Sequence, residues 1–189
     1  MTLSHMLGRF ALGVLLLGAA WPASAQAGKA DPNAALFPDF VTRVKAYDDL
    51  RDKLDNDTPR ITETKDTTKI EAAMNALAAK IRTARAAAKP GDIFTLETRK
   101  GFRARLTPVL KGPTGTKTRE TILDEAPKVP LVVNATYPKE QPLATAPVSV
   151  LEKLPQLPEG LEYRFIGKHM ILRDSRANLI VDFIYNVIP

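Results

Sequence analysis

The chain contains no cysteine and is poor in the side chains that most catalysts use. Its 189 residues include 2 histidines, 1 tryptophan and 10 glycines, and aromatic residues make up 6%. Without cysteine there is no disulfide, no thiolate metal site, no thiol nucleophile and no lipidated cysteine. The sequence also lacks a His/Cys metal spacing, a D-x-D-x-D-G calcium loop and a Walker-type phosphate loop. We therefore expect neither a metal ion nor another cofactor.

The first 27 residues have the three parts of a secretory signal peptide. Arg9 closes a short N-terminal region, residues 10–20 are apolar, and small residues follow. Two cleavage registers fit, one after Ala25 and one after Ala27. The apolar run is shorter than the roughly 20 residues of a membrane-spanning helix, which favours cleavage over a retained membrane anchor. Because export without disulfides suits the bacterial envelope, we expect a soluble periplasmic or secreted bacterial protein with no transmembrane anchor.

The rest of the chain is long enough for one domain with a hydrophobic core. Residues 28–37 are predicted to be a flexible mature N-terminus. Residues 38–189 are predicted to form a single α+β domain with three successive parts. These are a helical part (38–126), a proline-rich strap (127–158) and a β-meander (159–189).

Apolar residues at helical spacing predict three or four helices in the helical part. Pro38 suits the first turn of a helix that ends near Asn56. A second helix is predicted to be capped by Asp66 or Thr67 and stopped by Pro90-Gly91. Its narrow apolar seam favours an antiparallel helical hairpin over a dimeric coiled coil; the seam comprises Ile70, Met74, Leu77, Ile81, Ala84 and Ala88.

Two further helices are predicted before the strap. Asp92 is expected to cap a third helix that runs to Leu110, with Pro108 as a kink or an end. Residues 112–115, Gly-Pro-Thr-Gly, are expected to form a turn, followed by a short fourth helix from 118 to 125.

The strap and the meander differ in the pattern of their prolines and apolar residues. Seven prolines in residues 127–158 disfavour helix and ladder pairing and predict an extended strap on the folded body, with one helical turn near residues 148–154. A disordered tether is the alternative. From Leu161 the spacing of apolar residues changes to every second position. This alternation predicts a three-stranded antiparallel meander with strands starting at Leu161, His169 and Leu179. The last strand is apolar on both faces and should be the most buried.

Three runs of the meander are Leu-Glu-Tyr-Arg-Phe-Ile-Gly (161–167), Ile-Leu-Arg-Asp (171–174) and Ala-Asn-Leu-Ile-Val-Asp-Phe-Ile (177–184). Together with Val-Asn-Ala-Thr-Tyr-Pro (133–138) and Leu-Pro-Gln-Leu-Pro (154–158), they resemble the ends of exported bacterial proteins of unknown function. The resemblance covers roughly the last third of the chain. It implies an exported protein and brings no activity, cofactor or site residue.

Positive charge is concentrated in residues 80–119, where eleven Lys and Arg face only Asp92 and Glu97. Such a block attracts polyanions. Outside the cytoplasm these would be lipid phosphates, acidic glycans or another envelope protein, and we expect no nucleic acid. Alternatively, these charges solvate helix faces and pair with the acidic first helix. The candidate anion-binding residues are Arg99, Lys100, Arg103 and Arg105.

Asp182 lies between Val181 and Phe183 in an otherwise apolar strand. A buried carboxylate needs compensating partners. The sequence therefore predicts a structural ion pair across the sheet between Asp182 and Arg164 or Arg173, with Arg176 as a third possible partner, rather than a catalytic acid.

Catalytic residues are scarce. His169 is the only base for a serine triad after cleavage, Ser175 lies on the same meander, and there is no G-x-S-x-G motif. Paired carboxylates for glycoside hydrolysis would come from the set Glu159, Glu162, Asp174 and Asp182. We assign no catalytic residue and predict a non-enzymatic exported binding or accessory protein. The alternative is a small periplasmic hydrolase that uses the carboxylates or His169 near the meander.

Overall fold

The computed structural model describes residues 31–56, 66–124, 127, 129–143 and 145–189. Within these residues the chain forms helices followed by a C-terminal antiparallel sheet, so the α+β prediction is confirmed. The predicted signal segment 1–27 lies outside the described residues. The helices are α1 (Pro38–Asn56), α2 (Thr67–Ala84), α3 (Leu96–Leu110), α4 (Gly112–Asp124) and α5 (Val148–Leu151). The strands are β1 (Leu161–Ile166), β2 (His169–Asp174) and β3 (Leu179–Ile184).

Helices α1 and α2 pack as the predicted antiparallel pair. The guanidinium of Arg85, just after α2, lies 4.9 Å from the ring centroid of Tyr47 in the middle of α1. Further back along α2, Lys80 Nζ donates to the carbonyl of Leu54 near the end of α1 at 3.4 Å. The later residue of α1 therefore contacts the earlier residue of α2, which shows that the two helices run antiparallel. The Asp66 carboxylate accepts backbone N–H groups of the first turn of α2, which confirms Asp66 as the cap.

The apolar seam of α2 is shorter than predicted. Leu77 and Ile81 are buried, but Ile70 in the first turn and Ala84 in the last are exposed. The helix ends at Ala84, several residues before Pro90.

Helix α3 starts later than expected and passes its proline. Thr95, rather than Asp92, caps it, with Oγ1 accepting the N–H of Thr98 at 3.4 Å. Asp92 instead accepts the N–H of Lys89 at 2.8 Å and closes the preceding turn. Pro108 lies inside α3 without ending it.

The predicted turn at 112–115 is the first turn of α4. Pro113 suits that position because its missing N–H would have no intrahelical partner there. A Cβ atom at Gly115 would approach the backbone carbonyl carbon of Leu110 to 2.4 Å, so glycine allows α4 to fold closely against the end of α3.

The sheet has the order β1-β2-β3, as the meander prediction requires. Gly167 adopts φ +55° in the two-residue turn between β1 and β2, a conformation that glycine takes without steric cost. The pairing of β2 with β3 contains a bulge, because Leu172 faces Asp182 whereas Arg173 faces Ile180. Val181 is thus an extra residue on β3.

The sheet lies between two layers. One face packs against the helices through a core that includes the ring cluster of Phe40, Phe94, Phe102 and Tyr163. The other face packs against the strap through a second core, which comprises Val129, Tyr137, Ile166, Ile171, Ile180 and Phe183.

The described part of the strap follows both edges of the sheet. Along β3, the N–H of Tyr137 donates to the carbonyl of Asn178 at 2.9 Å, and Ile180 donates to Ala135 at 2.9 Å. At the opposite edge, an isolated bridge joins Thr145 to β1. Short α5 matches the predicted helical turn. The strap thereby covers the two strands whose unpaired edges would otherwise be exposed to other chains.

Residues 28–37 were expected to be flexible, and the described residues 31–37 make contacts with the rest of the fold. Asn33 Nδ2 donates to the carbonyls of Glu152 at 3.0 Å and Leu154 at 3.1 Å, just after α5. The ring of Phe37 packs edge-on against Phe102 at 4.8 Å. Polar side-chain bonds and aromatic packing therefore anchor this segment.

Candidate functional site

Asp182 is completely buried, and its carboxylate accepts hydrogen bonds from backbone amides rather than from the predicted arginines. Its oxygens accept the N–H groups of Gly91 at 2.9 Å, Ile93 at 2.9 Å and Phe94 at 2.7 Å. The N–H of Phe183 adds a fourth donor at 2.8 Å. The turn before α3 thus forms an anion-binding nest whose occupant belongs to the same chain.

The bulge in β3 gives Asp182 this orientation. Side chains of a regular strand alternate between faces, and Val181 lies in the core on the helix side. Asp182 also reaches the helix side, whereas Phe183 returns to the strap side. Two successive side chains therefore share one face, as a bulge permits.

The predicted ion pair of Asp182 with Arg164 or Arg173 is wrong. Both arginines pair with Glu162 on β1 instead. Arg176, the third possible partner, pairs with the α1 carboxylates Asp52 and Asp55. The reason is local. Backbone N–H groups already supply the hydrogen bonds that the buried Asp182 carboxylate needs, so no arginine side chain has to cross the sheet to reach it.

Glu162 is therefore the centre of a two-arginine cluster. Arg164 Nη2 donates to its Oε2 at 2.7 Å, and Arg173 Nη1 binds Oε1. Burial opposes ionisation of Glu162, but the two arginines outweigh burial and lower the pKa of its carboxyl. Arg164 also donates to Thr145 Oγ1 at 3.0 Å, and Arg173 donates to Asn178 Oδ1 at 2.6 Å.

The candidate anion-binding arginines of α3 are used inside the molecule. Arg99 Nε donates to the carbonyl of Phe94 at 2.6 Å, and Arg103 Nη2 donates to that of Tyr185 at 2.7 Å. Arg105 Nε donates to the carbonyl of Lys153 at 2.9 Å. These bonds join α3 to the turn before it, to the end of the sheet and to the strap.

Lys100 differs from these arginines because, among the described residues, its amino group pairs with Glu97 alone, at 3.0 Å on the exposed surface. The four residues therefore do not present a common free face for an anion.

The groups of the hydrolase hypothesis are far apart. His169 begins β2 and Asp174 ends it, and at about 3.3 Å per residue the two lie roughly 17 Å apart. Ser175 Oγ donates to the carbonyl of Gly160 at 3.0 Å. His169 Nδ1 accepts the N–H of Asn186 at 3.0 Å, and burial lowers the pKa of its imidazole. This arrangement does not assemble a Ser-His-Asp series.

A groove of about 490 Å³ lies between the N-terminal half of β1 and the strap. The leucines 151, 157 and 161 belong to its mostly apolar wall, and the Glu162–Arg164 pair supplies polar groups. The lining residues are Thr145, Ala146, Leu151, Pro155, Gln156, Leu157, Leu161, Glu162, Tyr163 and Arg164.

Gln156 and Leu157 line both this groove and a second cavity of about 310 Å³. Phe40, Val41 and Val44 of α1 form one wall of that cavity. Sequence reasoning missed both cavities, although the spacing of leucines between prolines in the strap was a signal that these side chains lie against the fold.

The described residues contain no group of three or more His, Asp or Glu side chains that would hold a metal ion. In the same residues no helix combines the length and the apolar character needed to cross a membrane.

Comparisons with protein-family models, curated proteins and solved structures found no match to this chain.

Proposed function

We propose that this chain is an exported, non-enzymatic binding protein and that the groove beside β1 is its ligand site. The observation that carries the proposal is the groove itself, with about 490 Å³ of space, a mainly apolar wall and a few converging polar groups. Its volume and composition fall within the range of small-molecule sites, which are typically about 300–1,000 Å³.

The bonding of the carboxylates supports binding over hydrolysis. Asp174 and Asp182 are fully buried and accept hydrogen bonds from Tyr47 and from backbone amides, respectively. Glu162, which lines the groove, is held ionised by two arginines. A general acid needs a proton near the working pH, and a carboxyl with a lowered pKa lacks one.

Export is the second part of the proposal and is supported by the sequence of residues 1–27. The test is expression of the full chain in a bacterial host and intact-mass analysis of the periplasmic fraction. We expect a chain that starts at Gln26 or Gly28. Full-length protein that remains in the membrane fraction would contradict export.

The ligand site is tested with N-phenyl-1-naphthylamine, an uncharged apolar fluorophore whose emission rises in an apolar site. We expect saturable binding to the wild-type protein and a loss of at least tenfold in affinity for Leu157→Trp, because the larger ring would fill the groove. Val132→Trp is the matched control, since Val132 is 54% exposed and is not among the groove residues. Equal binding by wild type and Leu157→Trp, with both folded, would overturn the groove as the site.

A further inference from the structure

We infer that the groove selects an amphiphilic anion, with an apolar chain along the strap leucines and a singly charged carboxylate-like head against Arg164. This inference rests on the proposed function and specifies the class of ligand. It follows from three features: the charge of the Glu162 cluster, the order of side chains along β1 and the partial pairing of the β1 edge with the strap.

The Glu162 cluster carries one positive charge in excess. Two guanidinium groups, of Arg164 and Arg173, share the single carboxylate of Glu162. The further acceptors of these arginines, Thr145 and Asn178, are neutral. Among the described residues that line the groove, Glu162 and Arg164 are the charged ones, and Arg173 acts on the groove through its pair with Glu162 without lining it. An anionic ligand group would compensate this charge, and the apolar surroundings would strengthen the attraction.

The order of residues along β1 gives the ligand a direction. Leu161 and Arg164 lie three residues apart, about 10 Å along the edge strand β1 and on opposite faces of it, and both line the groove beside this edge. The apolar side chains of Leu151, Pro155 and Leu157 complete the wall. A ligand that lies along the edge of β1 with its head at Arg164 would extend its chain past these leucines.

The edge of β1 disfavours an extended peptide as the occupant. Thr145 of the strap bridges to Arg164, so part of the edge that an added strand would use is already taken. A single-chain amphiphile needs no backbone pairing and fits beside the bridge.

The test compares three ligands that differ only in the head group: decanoate, decanol and decylammonium. Each is titrated by calorimetry into the protein that lacks the signal segment and is otherwise intact, below the ligand's aggregation concentration and at low salt. We expect decanoate to bind roughly tenfold or more tightly than decanol, as a charge-assisted hydrogen bond would give, and decylammonium to bind more weakly than decanol. The preference for decanoate should decrease as salt is added.

Arg164→Gln should reduce decanoate affinity to the level of decanol and leave decanol within twofold. Arg164→Lys retains the charge and should keep a preference for decanoate. Arg176→Gln is the matched control, because Arg176 pairs with α1 carboxylates outside the groove, and it should leave all three affinities unchanged.

Equal wild-type affinities for decanoate and decanol, an unchanged preference in folded Arg164→Gln, or no binding of any decyl compound would overturn this inference. The proposed function would still hold if the fluorophore binds and Leu157→Trp prevents its binding. If Leu157→Trp leaves both the fluorophore and decanoate bound as in wild type, the groove proposal fails together with this inference.

Discussion

The phenolic hydroxyl of Tyr47 donates to Oδ2 of Asp174 at 2.7 Å, and both residues are buried. The other carboxylate oxygen accepts the N–H groups of Arg176 at 2.8 Å and Ala177 at 3.0 Å. One side chain therefore shapes the loop between β2 and β3 and docks α1 onto the sheet. Burial, reinforced by Asp174, raises the pKa of Tyr47, so its hydroxyl remains a neutral donor.

Removal of this donor should destabilise the fold without changing its shape. Tyr47→Phe keeps the ring in the core but leaves Oδ2 of Asp174 without its buried hydroxyl donor. We expect the free energy of unfolding to fall by about 1–3 kcal/mol in urea titrations. Tyr185→Phe is the control, because Tyr185 is 49% exposed, and should lie within about 0.5 kcal/mol of wild type. Equal stabilities of the two variants would show that the Tyr47 hydroxyl contributes little.

The nest around Asp182 gives a second prediction. Asp182→Asn directs an N–H₂ group at backbone N–H donors, so at least one of the four amides that Asp182 accepts, including that of Phe183, loses its acceptor. We expect a loss of about 2 kcal/mol or more in the free energy of unfolding. The exposed Asp49, paired with Lys45, is the matched control, and Asp49→Asn should cost less than about 1 kcal/mol.

Hydrogen exchange separates this local effect from a general loss of stability. Relative to wild type, the exchange rates of the Gly91, Ile93 and Phe94 amides should rise more in Asp182→Asn than those of amides in the middle of α3. A uniform acceleration across the protein would contradict a specific role of Asp182 in holding the turn.

The outcome of the sequence predictions depends on how local each signal is. The starts of β1, β2 and β3 were predicted correctly because alternation and turn residues such as Gly167 are read within a few positions. The cap of α2 at Asp66 is equally local. The cap of α3 was misplaced from Thr95 to Asp92, since both residues suit the role and packing decides between them.

The partners of the charged residues were not predictable from the sequence. The bulge at Val181 changes the face of Asp182, and its position depends on pairing with β2. Arg105 was predicted to be available for an anion because its acceptors, the carbonyl of Lys153 and the side chain of Asn33, are distant in sequence. The groove was missed for the same reason, as its walls come from separate segments.

The use of the α3 arginines gives a third prediction. Arg105→Gln removes bonds to the Lys153 carbonyl and to Asn33 and should reduce the free energy of unfolding by about 1–3 kcal/mol. Lys100→Gln removes only an exposed pair with Glu97 and should change stability by less than about 1 kcal/mol. Urea titrations of both variants measure the difference. If Lys100→Gln costs as much as Arg105→Gln, the intramolecular role assigned to Arg105 is wrong.

The last prediction concerns His169 and acid stability. Burial lowers the pKa of its imidazole below the ordinary value near 6.5, so between the two values the unfolded chain binds more protons than the folded protein. Stability should therefore fall as the pH decreases through this interval and be fully present above the unfolded value. Protonation would also convert Nδ1 from an acceptor of the Asn186 N–H into a donor that faces it.

His169→Asn tests this because asparagine offers an acceptor oxygen but does not titrate. Thermal melts of the cleaved protein from about pH 7.5 to about pH 5.5 span the ordinary histidine pKa. The wild-type melting temperature should decrease more than that of His169→Asn over this range, whereas above about pH 7 both should be independent of this site. Carboxylates contribute equally to both proteins, so the difference between the curves reports His169 alone. Parallel curves over the whole range would mean that His169 titrates alike in the folded and unfolded chains.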